Sequence, residues 1–136
     1  MENRKPRIVL AKPGLDGHDK GIKLVSMSMR DAGFDVVYLG LRQTVPGIID
    51  AAKKYHADFI GLSILSGTHI DVGEKMLEQM KCQGVTAKLM IGGVIPHADE
   101  KKLLEMGVAK VFPVGTIFKD QNAWITETFE MCGKDC

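Results

Sequence analysis

A chain of 136 residues fits one domain and is long enough to bury roughly two thirds of the surface its unfolded form exposes. Its 18 basic and 17 acidic side chains leave a net charge of +1, without the basic face or stripe that a nucleic-acid partner requires. No apolar run approaches the ~20 residues that span a bilayer, the charged start Met1 to Pro6 has no signal-peptide core behind it, and Cys82, Cys132 and Cys136 form no disulfide framework, so a cytoplasmic protein without membrane contact is expected.

In chain order, Arg7-Ile8-Val9-Leu10-Ala11 is a β-branched run ending at a Pro/Gly loop, as suits a strand buried on both faces. From Asp19 to Ala32 apolar residues recur at Ile22, Val25, Met29 and Ala32, a helical spacing closed by Gly33. Asp35 to Leu39 makes a second strand. Thr44 is placed to cap a helix through about Tyr55, with Pro46 in its first turn and Ile48, Ile49 and Ala52 inward. Asp58 to Ser63 reads as a third strand, His69 to Cys82 as a helix stopped by Gly84, and Ala87 to Ile91 as a fourth strand stopped by Gly92-Gly93. Ala98 to Met106 forms a helix capped by Gly107, Lys110 to Phe112 a brief fifth strand, and Phe118 to Met131 a closing amphipathic helix carrying Trp124, Ile125 and Phe129. The methionines, Met27, Met29, Met76, Met80 and Met90 among them, read as core filler.

Strands alternating with helices over short links call for a mainly parallel sheet covered on both faces, because right-handed crossovers place the helices there. The expected fold is therefore α/β, a flavodoxin-like (Rossmann-like) doubly wound five-stranded parallel sheet of order 2-1-3-4-5, in a single domain over residues 1–136. Ligands of such sheets sit beyond the carboxyl ends of the strands, at the switch between the first and third. The loops meeting there are Lys12 to Gly21, Ser63 to Thr68, Gly92 to Pro96 and Pro113 to Thr116.

The first of these loops concentrates the chemistry. Asp16 and His18 are two residues apart, close enough for a carboxylate to accept the imidazole Nδ1–H and leave Nε2 as a lone-pair donor. Lys12, four residues earlier, is placed to hold that carboxylate charged. Glycines at 14, 17 and 21 let the backbone approach a large flat partner, Gly21 also allowing tight contact between helix and sheet. A phosphate nest is disfavoured by Asp16 and Asp19, and the lysine spacing fits no P-loop. A His–Asp hydrolase dyad lacks a nucleophile elbow, with Ser63 and Ser66 on another strand. Metal ligation is left; one His is offered and His56, His69 and His97 show no chelating spacing, so the metal would arrive already held in a macrocycle with one axial position open. His56 reads as a surface residue, and His69 and His97, at helix starts, as structural or solvent-facing, His69 near enough to border the site.

Asp16-Gly17-His18-Asp19-Lys20-Gly21 matches the Asp-x-His-x-x-Gly motif of cobalamin-binding domains, and Ser63-Ile64-Leu65 and Gly92-Gly93 match that family's Ser-x-Leu and Gly-Gly elements in the expected order. From about Arg7 to Asp120 the chain resembles the cobalamin domain of methylmalonyl-CoA mutase and the small subunits of its split relatives, isobutyryl-CoA and 2-hydroxyisobutyryl-CoA mutase. It departs at Pro113-Val114, where the mutases more often have Gly-Pro before Gly-Thr.

The resemblance implies that His18 is the lower axial ligand to cobalt, Asp16 its hydrogen-bond partner and Lys12 the third member of the relay. It implies further that the displaced dimethylbenzimidazole tail enters a slot beside Gly61, Ser63, Leu65, Gly92 and Gly93, with Gly115 and Thr116 near its ribose and phosphate. Gly17, Asp19, Gly21, Ser66 and Gly67 complete the implied contacts. The function implied is that of an adenosylcobalamin-binding small subunit in a radical 1,2-carbon-skeleton rearrangement, not active alone. Barrels that enclose such chemistry need ~250 residues, so a separate large TIM-barrel subunit binding the acyl-CoA is the expected partner, docking on the corrin face together with Ser66 to His69 and the loop after Gly93. The alternatives are a corrinoid carrier for methyl transfer, usually preceded by a helical cap domain where only six residues precede the first strand here, and a non-enzymatic cobalamin sensor or carrier.

Overall fold

The computed structural model describes residues 5–13, 20–64, 68–113 and 116–135, the side chains of 20 and 132–135 excepted. The alternation read from the sequence is present throughout: β1 (Arg7–Ala11), α1 (Lys20–Asp31), β2 (Asp35–Tyr38), α2 (Val45–Tyr55), β3 (Phe59–Ser63), α3 (His69–Gln83), β4 (Lys88–Gly93), α4 (His97–Met106), β5 (Lys110–Pro113) and α5 (Phe118–Asp135). Every strand pair is parallel and the order is β2-β1-β3-β4-β5, the doubly wound arrangement expected.

The period-2 alternation of the strands divides the core in two. Ala11, Ile60, Leu62, Leu89, Ile91 and Val111 pack with Ile48, Ile49 and Ala52 of α2, Met76 and Met80 of α3 and Leu103 of α4. Ile8, Leu10, Phe59, Met90 and Phe112 face Ile22 and Met29 of α1 and Ile125 of α5. Trp124 meets Phe59 and Phe112 edge-on, each at 5.9 Å between ring centroids, which joins α5 to the middle of the sheet.

Local signals hold at most boundaries. Thr44 Oγ1 accepts the Gly47 N–H at 3.1 Å, and Gly84 and Gly107 end α3 and α4 in the left-handed region. Three expectations change. β4 runs through Gly92 and Gly93, which pair with Phe112 and Pro113; the Ile64 N–H donates to the Gly92 carbonyl at 2.9 Å and keeps that stretch extended. Met27 is 60% exposed, so it is not core filler, because Ser26 and Met29 occupy the inward face of α1. Ala32 is likewise exposed, since α1 ends at Asp31 before that position turns inward.

Candidate functional site

A cavity of about 320 Å³ lies at the carboxyl end of the sheet, on the face covered by α1 and α5. Alternation explains its position: Leu10, Gly61, Ser63, Met90, Gly92 and Phe112 all line it from the strands. Two of these six have no side chain, so the layer between sheet and helices is left open where Gly61 and Gly92 fall. A Cβ on Gly61 would stand 2.6 Å from Leu10 Cδ2, and one on Gly92 would stand 3.3 Å from the Phe112 carbonyl oxygen. The remaining wall is mostly hydrocarbon, with Val25 and Met29 from α1 and Phe118 from α5. A pocket of this size and lining, with few polar groups, suits a largely apolar small molecule.

Lys12 follows β1 directly and is fully buried. Its Nζ donates to the Ser63 carbonyl at 3.1 Å and to Ser63 Oγ at 3.3 Å. A buried ammonium is strongly unfavourable unless hydrogen-bonded or paired, so these bonds fix the side chain across the ends of β1 and β3. Lys12 is thereby tied to the wall of the cavity as well as to the start of the loop that carries Asp16 and His18. The lysine backbone is held too, its N–H by the Gly40 carbonyl and its carbonyl by the Gln43 N–H.

A second cross-link holds the segment that follows β3. His69, the first residue of α3, is fully buried, and its Nε2 lies 2.9 Å from the Ile64 carbonyl oxygen. A carbonyl only accepts, so Nε2 carries the proton; Nδ1 is buried with no hydrogen-bond partner among the described residues. His69 therefore does not present itself to a docking partner or to a bound ring, as the sequence allowed. It fixes the segment after β3 instead. His69→Phe keeps a flat ring but removes the donor, and is expected to lower stability by about 1–3 kcal/mol as a reduced urea midpoint, with His69→Gln recovering part of the loss through its amide N–H.

Among the residues expected from sequence, Lys12, Gly61, Ser63, Gly92, Gly93 and Thr116 converge on this cavity or its rim. Gly21 lines it as well, but among the described residues a Cβ there would meet nothing within 4 Å, so the tight helix–sheet contact expected of Gly21 is not found. Asp16, Gly17, His18, Asp19, Leu65, Ser66, Gly67 and Gly115 lie outside the described residues. Among the described residues no group of three His, Cys, Asp or Glu side chains could hold a metal ion. Sequence reasoning missed Gln121, a buried wall residue read only as part of an amphipathic helix; its polar character at an inward-facing α5 position was the available signal.

Comparison with known proteins agrees with this geometry. Residues 6–119 match the B12 binding domain family. The chain is 38% identical over 112 residues to the 2-hydroxyisobutanoyl-CoA mutase small subunit of Aquincola tertiaricarbonis, covering 82% of each chain. It is 42% identical over 108 residues to ethylmalonyl-CoA mutase of Methylorubrum extorquens, where it covers 79% of this chain but spans only 16% of that protein's length. A cobalamin-binding protein from Desulfitobacterium hafniense superposes with a TM-score of 0.71 at 26% identity, over 79% of this chain and 53% of that one. The family match takes in all five strands and every cavity-lining residue except Gln121, and the chain belongs to the B12-binding domain family.

Proposed function

We propose that the chain is the adenosylcobalamin-binding small subunit of an acyl-CoA mutase, acting in the cytoplasm with a separate large subunit whose TIM barrel binds the acyl-CoA. The observation that carries this reading is the apolar cavity opened by Gly61 and Gly92 on a chain that covers most of a mutase small subunit. The residues fit the group: a flat nucleotide base requires an apolar slot between sheet and helices, and side chains at those two positions would narrow it. Among the described residues no helix is long and apolar enough to cross a membrane.

In this reading His18 would hold the cobalt through Nε2, Asp16 would accept its Nδ1–H and set the tautomer, and Gly17, Asp19 and Gly21 would let the loop lie against the macrocycle. Lys12 keeps the Asp16 carboxylate charged while its bonds to Ser63 hold the loop's starting point. Gly61, Ser63, Leu65, Gly92 and Gly93 wall the tail, and Ser66, Gly67, Gly115 and Thr116 border it. The bound cofactor supplies a cobalt–carbon bond that breaks homolytically. Val94 and Ile117, 60% and 63% exposed beyond the ends of β4 and β5, would offer apolar contacts to the large subunit.

Reconstitution tests the proposal. The purified chain is expected to take up adenosylcobalamin with a base-off spectrum and to isomerise no acyl-CoA until a large mutase subunit is added. Failure to bind cobalamin, or isomerisation by the chain alone, overturns it.

A further inference from the structure

Three polar side chains line the cavity among the described residues: Ser63, Thr116 and Gln121. Two are engaged by the framework, since Ser63 Oγ accepts from Lys12 and Thr116 Oγ1 donates to the Pro113 carbonyl at 2.6 Å. Gln121 differs. It sits in the first turn of α5, only 7% exposed, and its backbone N–H bonds the Ile117 carbonyl. Its side-chain amide makes no hydrogen bond among the described residues. In a wall otherwise built from Leu10, Ile22, Val25, Met29, Met90 and Phe112, this amide loses its solvation when a ligand fills the cavity, a cost that falls only if the ligand pairs with it.

A glutamine amide offers a donor and an acceptor side by side, the pattern that pairs bidentately with the amino group and ring nitrogen of adenine. A dimethylbenzimidazole tail turns methyl groups outward and offers no such edge. We infer that Gln121 determines which corrinoid tail this slot prefers: its amide recognises a tail base with a donor–acceptor edge, an amino-purine, over a base edged with hydrocarbon. The inference rests on the corrinoid reading above. A dimethylbenzimidazole tail still enters, held by the apolar wall, but leaves the amide unpaired.

The test is an absorbance titration of the full chain with adenosyl-corrinoids carrying either an adenine or a dimethylbenzimidazole tail. The wild-type protein is expected to bind the adenine form at least as tightly as the other. In Gln121→Met, which keeps the side-chain length and removes the amide, preference is expected to move about 10-fold toward dimethylbenzimidazole, the worth of one net hydrogen bond. Gln121→Ala separates size from pairing, because it also removes the amide but enlarges the slot; the same change of preference in both variants identifies the amide. A preference that is the same in wild type and Gln121→Met, or wild-type protein that binds the dimethylbenzimidazole form more than about 10-fold tighter, overturns the inference. Wild-type protein that binds neither form refutes the corrinoid reading instead, so the two failures are distinguishable.

Discussion

Replacing His18 with Ala is expected to abolish the histidine-ligated, base-off spectrum of the cobalamin complex and to weaken binding by on the order of 100-fold or more, beyond the 10–100-fold typical of losing a group that only supports a ligand. The reason is the shortage of substitutes. His69 is buried with Nε2 committed to the Ile64 carbonyl. His56 caps the end of α2 beside Arg7 and Asp58, at the amino end of the sheet and away from the cavity. His97 begins α4 at an exposed position and takes no part in the cavity wall. With His18 gone, the described residues hold no cluster able to bind a metal in its place. Absorbance spectra and equilibrium dialysis of the variant check the claim, and an unchanged spectrum refutes the ligand assignment.

The second large effect is expected at Gly93. Its φ is +137°, a region L side chains rarely adopt, and a Cβ there would lie 2.0 Å from the Ile64 carbonyl oxygen and 2.8 Å from its carbon. Neither atom belongs to a flexible side chain, so relief requires moving the backbone that receives the His69 hydrogen bond and donates to the Gly92 carbonyl. Gly93→Ala should therefore lower stability by about 3–5 kcal/mol, at the upper end of single-residue effects, and open the cavity mouth between Ser63 and Gly92. Urea unfolding measures the first and cobalamin affinity the second. Gly21→Ala is the control for stability alone: among the described residues a Cβ there meets open space, so the urea midpoint should be unchanged or slightly raised. A Gly93→Ala protein as stable as the wild type would show that the Ile64 segment can move aside at no cost.

The comparison of Gly21 with Gly93 shows where sequence reasoning stops. Both are glycines of motif-like stretches, and both were assigned to the site. The register of β4 against β5 and the approach of the segment after β3 leave Gly93 no room for a Cβ, while Gly21 has room for one among the described residues. The same limit applies to Lys12. The sequence places Lys12 beside Asp16 in the same loop but gives no sign of its bond to Ser63, 51 residues away.

What the sequence determined by itself is local or follows from local order. The strands, the helices and their glycine stops come from short-range periodicity and capping, the parallel two-sided sheet from the βα alternation, and the order 2-1-3-4-5 is the common one for such five-stranded sheets. The proposed pairing of Asp16 with His18 is likewise a local reading, since both residues lie in one loop. Tertiary structure alone decided the pairing of Lys12 with Ser63, the His69 bond to Ile64, the burial of Gln121 in the cavity wall and the close approach at Gly93. Each depends on how far apart two elements settle once their cores are packed, a distance that no single stretch of chain encodes.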